Sequence, residues 1–256
     1  MNVEIHKNIF LRTHRVDDHT DDIWFIHAFG ESGLSFKEAF DSSLTGQFNV
    51  FVPDLPGFGV TPCQGAPKTI QQLTRIMIGL IEDLSPSNKI YLAAHSIAGL
   101  IGTWICQHFQ DKIGGYASIE GNLTEPDSYY SSLPIDYDKE EFFKKFTSSV
   151  YEKARSRVDF RRYLGSIYFA DVDAMMAWGQ SVKDFVQGDR PGMEFLALDC
   201  PKLYIWGDKD TPLATQKFIR EHGVPNVYLE GIGHWPMIEV PGRLYDVVGS
   251  FFNAPK

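Results

Sequence analysis

The sequence predicts an α/β protein built on a mostly parallel sheet covered by helices. Three observations carry that expectation. Short apolar runs that read as buried strands alternate with helical patterns, loops rich in Gly, Pro and Asp follow several of the runs, and Ser96, Asp210 and His234 each come after such a run. Ligands of a parallel sheet bind beyond the carboxyl ends of its strands, so residues directly after a strand are the candidates for chemistry.

Taken in chain order, residues 2–14 suggest an N-terminal hairpin, and strands are expected near 23–27 and 48–53. A helix follows, because Ile70, Leu73, Ile76, Met77, Leu80, Ile81 and Leu84 keep helical spacing and Ser85-Pro86-Ser87-Asn88 stops it. The next strand covers about 89–94, a helix runs from Ile97 to about Phe109, and Ile113 to Ile119 reads as another strand. Residues 122–197 break the alternation: they carry helical patterns, many charges and a large share of the aromatics, without short apolar strands. Lys202 to Gly207 and Asn226 to Leu229 restore the strand pattern. The division expected is a core of 1–121 with 198–256, interrupted by a helical insertion of 122–197.

Composition narrows the class. A chain of 256 residues that is 43% hydrophobic can bury one large core. A net charge of −9 argues against an electrostatic nucleic-acid surface, which needs a basic patch. No apolar stretch has the roughly 18 to 20 residues of a membrane span, and Met1-Asn2-Val3-Glu4-Ile5-His6 lacks a basic start followed by an apolar region, so export is not expected. Cys63, Cys106 and Cys200 have no C-x-x-C spacing, and their odd number argues against a disulfide framework, which points to the cytoplasm. The histidines show no H-E-x-x-H or comparable spacing, so no metal is expected.

The chemistry-bearing segment is Leu92-Ala93-Ala94-His95-Ser96-Ile97-Ala98-Gly99, where an apolar run ends on a serine between small residues and a helix begins. That is the pattern of a nucleophile elbow, with Ala94 and Ala98 in place of the glycines of G-x-S-x-G. A serine hydroxyl is a poor nucleophile at neutral pH and needs a base beside it and backbone N–H groups facing the developing oxyanion. An acid and a base follow in the chain: Asp210 in Gly207-Asp208-Lys209-Asp210-Thr211-Pro212, and His234 in Gly231-Ile232-Gly233-His234-Trp235-Pro236. Singly, such residues are more often packing, helix-capping or structural groups. Together, each at a strand end and in the order Ser, Asp, His, they form a candidate catalytic triad.

With these segments in hand, the chain resembles the α/β-hydrolase fold superfamily, which includes small esterases, cofactor-free haloperoxidases, C–C bond hydrolases and haloalkane dehalogenases. The resemblance spans nearly the whole length. His27-Ala28-Phe29-Gly30-Glu31-Ser32 is similar to the family's H-G-x-G oxyanion loop, and Asp54-Leu55-Pro56-Gly57-Phe58-Gly59 to its D-x-P-G-x-G turn. It implies oxyanion donors at the Phe29 and Ile97 backbone N–H groups, each worth about 10²- to 10³-fold in rate. It also implies that 122–197 forms a cap over the nucleophile, with His27, Glu120, Met175, Trp178 and Trp235 as candidates for substrate contact. Glu120 ends the strand before the cap, a position from which some members supply the triad acid; it either backs up Asp210 or orients the cap. Lys153, Arg155, Arg157, Arg161 and Arg162 form a basic cluster that is either a solvated helix face or, turned inward, a clamp for an anionic substrate.

The expected function is hydrolysis of a small carboxylic ester through an acyl-enzyme on Ser96, without a cofactor and with a small molecule as the partner. C–C bond hydrolysis, a lyase reaction like that of menaquinone biosynthesis, and a non-enzymatic ligand receptor are the alternatives. A homodimer stays open.

Overall fold

The computed structural model describes residues 1–17 and 20–254. Eight strands form a single sheet: β1 (Asn2–His6), β2 (Ile9–His14), β3 (Asp22–Ile26), β4 (Asn49–Pro53), β5 (Ile90–His95), β6 (Ile113–Ile119), β7 (Lys202–Gly207) and β8 (Asn226–Leu229). Their order across the sheet is β1-β2-β4-β3-β5-β6-β7-β8. The first two strands make a hairpin that joins β4 in antiparallel fashion, and every pairing from β4 to β8 is parallel. The strands of the parallel part therefore end on one edge, and that edge carries the loops with Phe29, Ser96, Glu120, Asp210 and His234.

Local chemistry explains the elements that position this edge. The helix α1 (Ile70–Leu84) starts at Thr69 with a capping box, in which Gln72 N–H donates to Thr69 Oγ1 at 3.3 Å and Thr69 N–H to Gln72 Oε1 at 2.9 Å. Ile70, Leu73, Met77, Leu80 and Ile81 turn into the core, and the helix stops at Ser85, whose hydroxyl accepts the Trp24 indole N–H at 3.0 Å. β5 lies between β3 and β6 with all six side chains buried, and the helix α2 (Ala98–Phe109) packs back over it. Both faces of the central strands are covered, which is why they read as continuous apolar runs.

Between β6 and β7 the described residues form four α-helices, α3 (Lys139–Ala154), α4 (Val158–Ile167), α5 (Val172–Val182) and α6 (Arg190–Leu196), preceded by two short 3-10 turns, and no strand. Three more α-helices follow among the described residues: α7 (Leu213–Glu221), α8 (Pro236–Glu239) and α9 (Pro241–Phe252).

A buried ion pair ties the hairpin to the turn after β4. Arg12 Nη1 lies 2.7 Å from Asp54 Oδ1, and the Asp54 carboxylate also accepts the N–H groups of Gly33 (2.7 Å) and Val60 (2.8 Å). Truncating one partner strands the other charge in the core. Arg12→Ala is expected to cost about 3–5 kcal/mol of stability, read as a lower midpoint in urea denaturation.

Candidate active site

Ser96 occupies the two-residue bend between the end of β5 at His95 and the start of α2 at Ala98. Its φ is +52°, in the left-handed region that costs a residue with a Cβ about 1–3 kcal/mol. Two backbone hydrogen bonds hold the bend: Ser96 N–H donates to Ile119 C=O at 2.9 Å and Gly99 N–H to Ser96 C=O at 2.7 Å. The adjacent strand β6 ends the same way. Glu120 has φ +49° and donates its N–H to Ile205 C=O at 2.8 Å. Two non-glycine residues thus turn left-handed side by side at the edge of the sheet.

His234, in the loop after β8, is almost fully buried, and its Nδ1 lies 3.5 Å from Glu120 Oε2. Asp210, the acid expected beside the ring, is engaged elsewhere. Its carboxylate takes a bidentate bond from Arg157, at 3.0 and 2.6 Å, and accepts the His234 backbone N–H at 3.0 Å. Glu120 accepts Gly207 N–H at 2.5 Å and the Thr211 hydroxyl at 2.9 Å, both from the core rather than from the insertion. Burial raises the Glu120 carboxyl to about 8, against the pull of those two donors. Burial and the nearby His95 ring push the His234 imidazole well below its ordinary value, so the ring rests neutral. Burial also works against the charge on Asp210, but Arg157 and the His234 N–H outweigh it and hold the carboxyl below the usual range.

His95 pairs with Glu31, Nδ1 to Oε1 at 2.8 Å, and its Nε2 reaches the His234 carbonyl oxygen at 2.7 Å. Glu31 Oε2 accepts Ala28 N–H at 3.1 Å, and its Oε1 accepts the Trp235 indole N–H at 2.6 Å. Residue types alone give no hint of this pair: the sequence places His95 in the elbow segment and Glu31 in the loop similar to the oxyanion loop.

The loop after β3 is braced from both sides. Tyr163 of α4 donates its hydroxyl to Phe29 C=O at 2.9 Å, and the Phe29 and Ile97 N–H groups have no hydrogen-bond partner among the described residues. His27, expected as a substrate contact, is fully buried with both nitrogens in use: Nδ1 bonds Ala28 C=O and Nε2 accepts Leu55 N–H, each at 2.9 Å. It tethers the loop to the turn after β4 instead. Gly30 takes φ +70°, and a Cβ there would meet Tyr163 Oη at 3.2 Å.

A cavity of about 10 Å³ joins Ser96 to His234, walled by Phe29, Tyr129, Tyr130 and Tyr163; it has room for about one water. Trp235 belongs to the same wall, whereas Met175 and Trp178 do not, contrary to expectation. Trp178 packs edge-on against Phe58 and Phe29, with centroids 5.3 and 6.1 Å apart, and Met175 lies close against Gly30. These side chains serve the seam between insertion and core.

The basic cluster divides. Arg157 turns inward but is neutralised by Asp210 and Asp159, the latter at 2.6 Å from Nη2. Arg162 pairs with Glu38 at 2.8 Å, and Arg161 bonds backbone carbonyls within the insertion. Arg155 is exposed, and Lys153 Nζ donates to Tyr130 Oη at 2.6 Å. Among the described residues, no group of three or more His, Cys, Asp or Glu is arranged to hold a metal ion, and no helix is long and apolar enough to cross a membrane.

The family model for alpha/beta hydrolases matches residues 25–247. The chain belongs to that family. This alpha/beta hydrolase is 24% identical over 251 residues to a pyrethroid hydrolase of Sphingobium wenxiniae, a match covering 91% of the chain and 88% of the relative. Among solved structures, an esterase from Thermogutta terrifontis superposes with a TM-score of 0.75 at 20% identity, covering 95% of this chain and 93% of that one. An enol-lactonase from Burkholderia xenovorans gives 0.76 at 17% identity, covering 99% and 100%. The two structures share the fold with this hydrolase.

The left-handed bend at Ser96 carries a local cost that glycine avoids. Ser96→Gly is expected to raise unfolding stability by about 1 kcal/mol, measured by chemical denaturation against the wild-type chain.

Proposed function

We propose that this alpha/beta hydrolase cleaves a small, uncharged carboxylic ester, with Ser96 as nucleophile, His234 as general base and Glu120 as the acid that orients it. The observation that carries the reading is the common cavity of Ser96 and His234, with Glu120 against the far nitrogen of the imidazole. Glu120 replaces Asp210 because a carboxylate orients a histidine through the ring N–H, and Asp210 is taken up by Arg157 and a backbone N–H.

His234 Nε2 takes the Ser96 proton as the hydroxyl oxygen attacks the ester carbonyl. The Phe29 and Ile97 N–H groups hold the oxyanion, and the imidazolium then protonates the leaving alcohol. Water repeats the sequence on the acyl-enzyme, releasing the acid. As it stands the cavity holds about one water, so its aromatic walls must part to admit an ester, which favours the smallest acyl groups. No arginine lines the cavity among the described residues, and Arg157 is already shared between two carboxylates, which supports a neutral substrate over an anionic one and counts against the lyase reading.

The test is a p-nitrophenyl ester series from acetate to decanoate. Turnover confined to the shortest chains, and abolished in Ser96→Ala, is the expected result; complete inactivity of the wild-type enzyme contradicts it. Glu120→Gln should lower kcat by about 10²- to 10⁴-fold, whereas Asp210→Asn should keep kcat/KM within about tenfold; the reverse order restores Asp210 as the acid. Because the Glu120 carboxyl lies at about 8 and works as the carboxylate, kcat/KM should climb as pH rises through that value. Glu120→Gln should flatten the climb.

A further inference from the structure

We propose that the buried Glu31–His95 ion pair is a positioning element of the reaction: it ties the loops carrying Ser96, His234 and the Phe29 N–H to one another and sets a permanent positive charge beside the His234 imidazole. The proposal rests on the reading of Ser96 and His234 as nucleophile and base.

The charge state follows from what each ring nitrogen faces. His95 is fully buried, and its two ring nitrogens face a carboxylate oxygen at 2.8 Å and a carbonyl oxygen at 2.7 Å. Nε2 donates to the His234 carbonyl; Nδ1 faces the carboxylate as an ion pair that is not aligned as a hydrogen bond, and a bare lone pair there would meet an anion at 2.8 Å, so both nitrogens carry protons and the ring is an imidazolium. Glu31, in turn, receives Ala28 N–H and the Trp235 indole N–H besides His95, which is the environment of an ionised carboxylate. Burial works against both charges, yet each partner's field outweighs it, raising the His95 value and lowering that of Glu31 to about 2.

The connections are what make the pair more than a packed salt bridge. His95 is the residue before Ser96, and its Nε2–H holds the carbonyl of His234 itself. Glu31 holds the N–H of Ala28, the residue before Phe29, and the indole of Trp235, the residue after His234. Three separate loops are thereby joined through one pair of side chains. The rings of His95 and His234 lie 4.7 Å apart, so the imidazolium opposes a second positive charge on the base.

Other groups face His234 too: Glu120 from the end of β6, Asp210 from the loop after β7, Asp127 and the Tyr129 ring from the insertion, and Glu31 itself. Arg157 offsets Asp210. Against these carboxylates, His95 is the cation beside the imidazole, and it also favours the ionised form of Glu120. Loss of its charge therefore moves the rise of kcat/KM with pH upward, whether Glu120 or His234 governs it, since the His95 cation lowers both.

The experiment compares kcat/KM-against-pH profiles on a short-chain p-nitrophenyl ester for wild-type enzyme, His95→Gln and the double variant His95→Gln/Glu31→Gln. The rise should move upward by about one pH unit or more in His95→Gln. In the double variant, which also removes the opposing carboxylate, the shift should be upward but smaller. Should His95→Gln fail to fold, the neutral double variant decides alone. A packing role lowers activity without moving the profile, so unshifted profiles in folded variants overturn the proposal, as does a downward shift. If the wild-type enzyme turns over no ester, the catalytic reading has failed, and the pair is judged by nitrogen-15 NMR of His95 at pH 8. Two protonated ring nitrogens support the ion pair, and a neutral ring overturns it.

Discussion

Two neighbouring parallel strands end in left-handed residues that are not glycine, and the geometry of the site depends on that constraint. At Ser96 and Glu120 the backbone leaves the sheet with φ of +52° and +49°. Each bend is held by an N–H bonded to the next strand across, Ser96 to Ile119 and Glu120 to Ile205. The sheet itself therefore stabilises two conformations that an isolated chain avoids. The serine and the carboxylate stand one strand apart, with the His234 loop brought in after β8.

Around this edge the charges are arranged so that few are free. Asp210 and Asp159 share Arg157, and Glu31 carries the His95 ring. Glu120 has neutral donors, Gly207 N–H and the Thr211 hydroxyl, and so retains a raised carboxyl beside the imidazole. That difference separates Asp210, Glu31 and Glu120, which are alike in solution: the first anchors the insertion, the second joins loops, and the third faces the His234 ring. Arg157 and Arg162, together with the Tyr163 hydroxyl on Phe29, fasten the insertion to the core on several sides of the small cavity. Closure of the site is thus a property of polar contacts as well as of the aromatic seam formed by Trp178, Phe29 and Phe58.

Much of the framework was legible because it rests on periodicity. The apolar spacing from Ile70 to Leu84 and the stop at Ser85 give the limits observed for α1, and Ile113–Ile119 is β6 as read. The hairpin at residues 2–14 was readable for the same reason, alternation around a short turn. Side-chain partners were less accessible. Asp210 fits a triad pattern by position, but Arg157, 53 residues earlier in the chain, claims its carboxylate, and nothing in residue spacing reveals that contact. His27 was expected to meet substrate because it opens an oxyanion-like loop; its two bonds to backbone groups are a matter of three-dimensional packing. Glu120 offered one signal, an acid directly after an apolar strand, though its left-handed backbone is visible only in the fold.

The central claim is that the hydroxyl at Ser96 is a nucleophile activated by its surroundings, and covalent labelling tests it most directly. Treatment with a serine-directed organophosphate, followed by peptide mass spectrometry, should give one adduct per chain, located on Ser96, with ester turnover lost in proportion to labelling. An adduct elsewhere, or full turnover in a chain labelled at Ser96, contradicts the account.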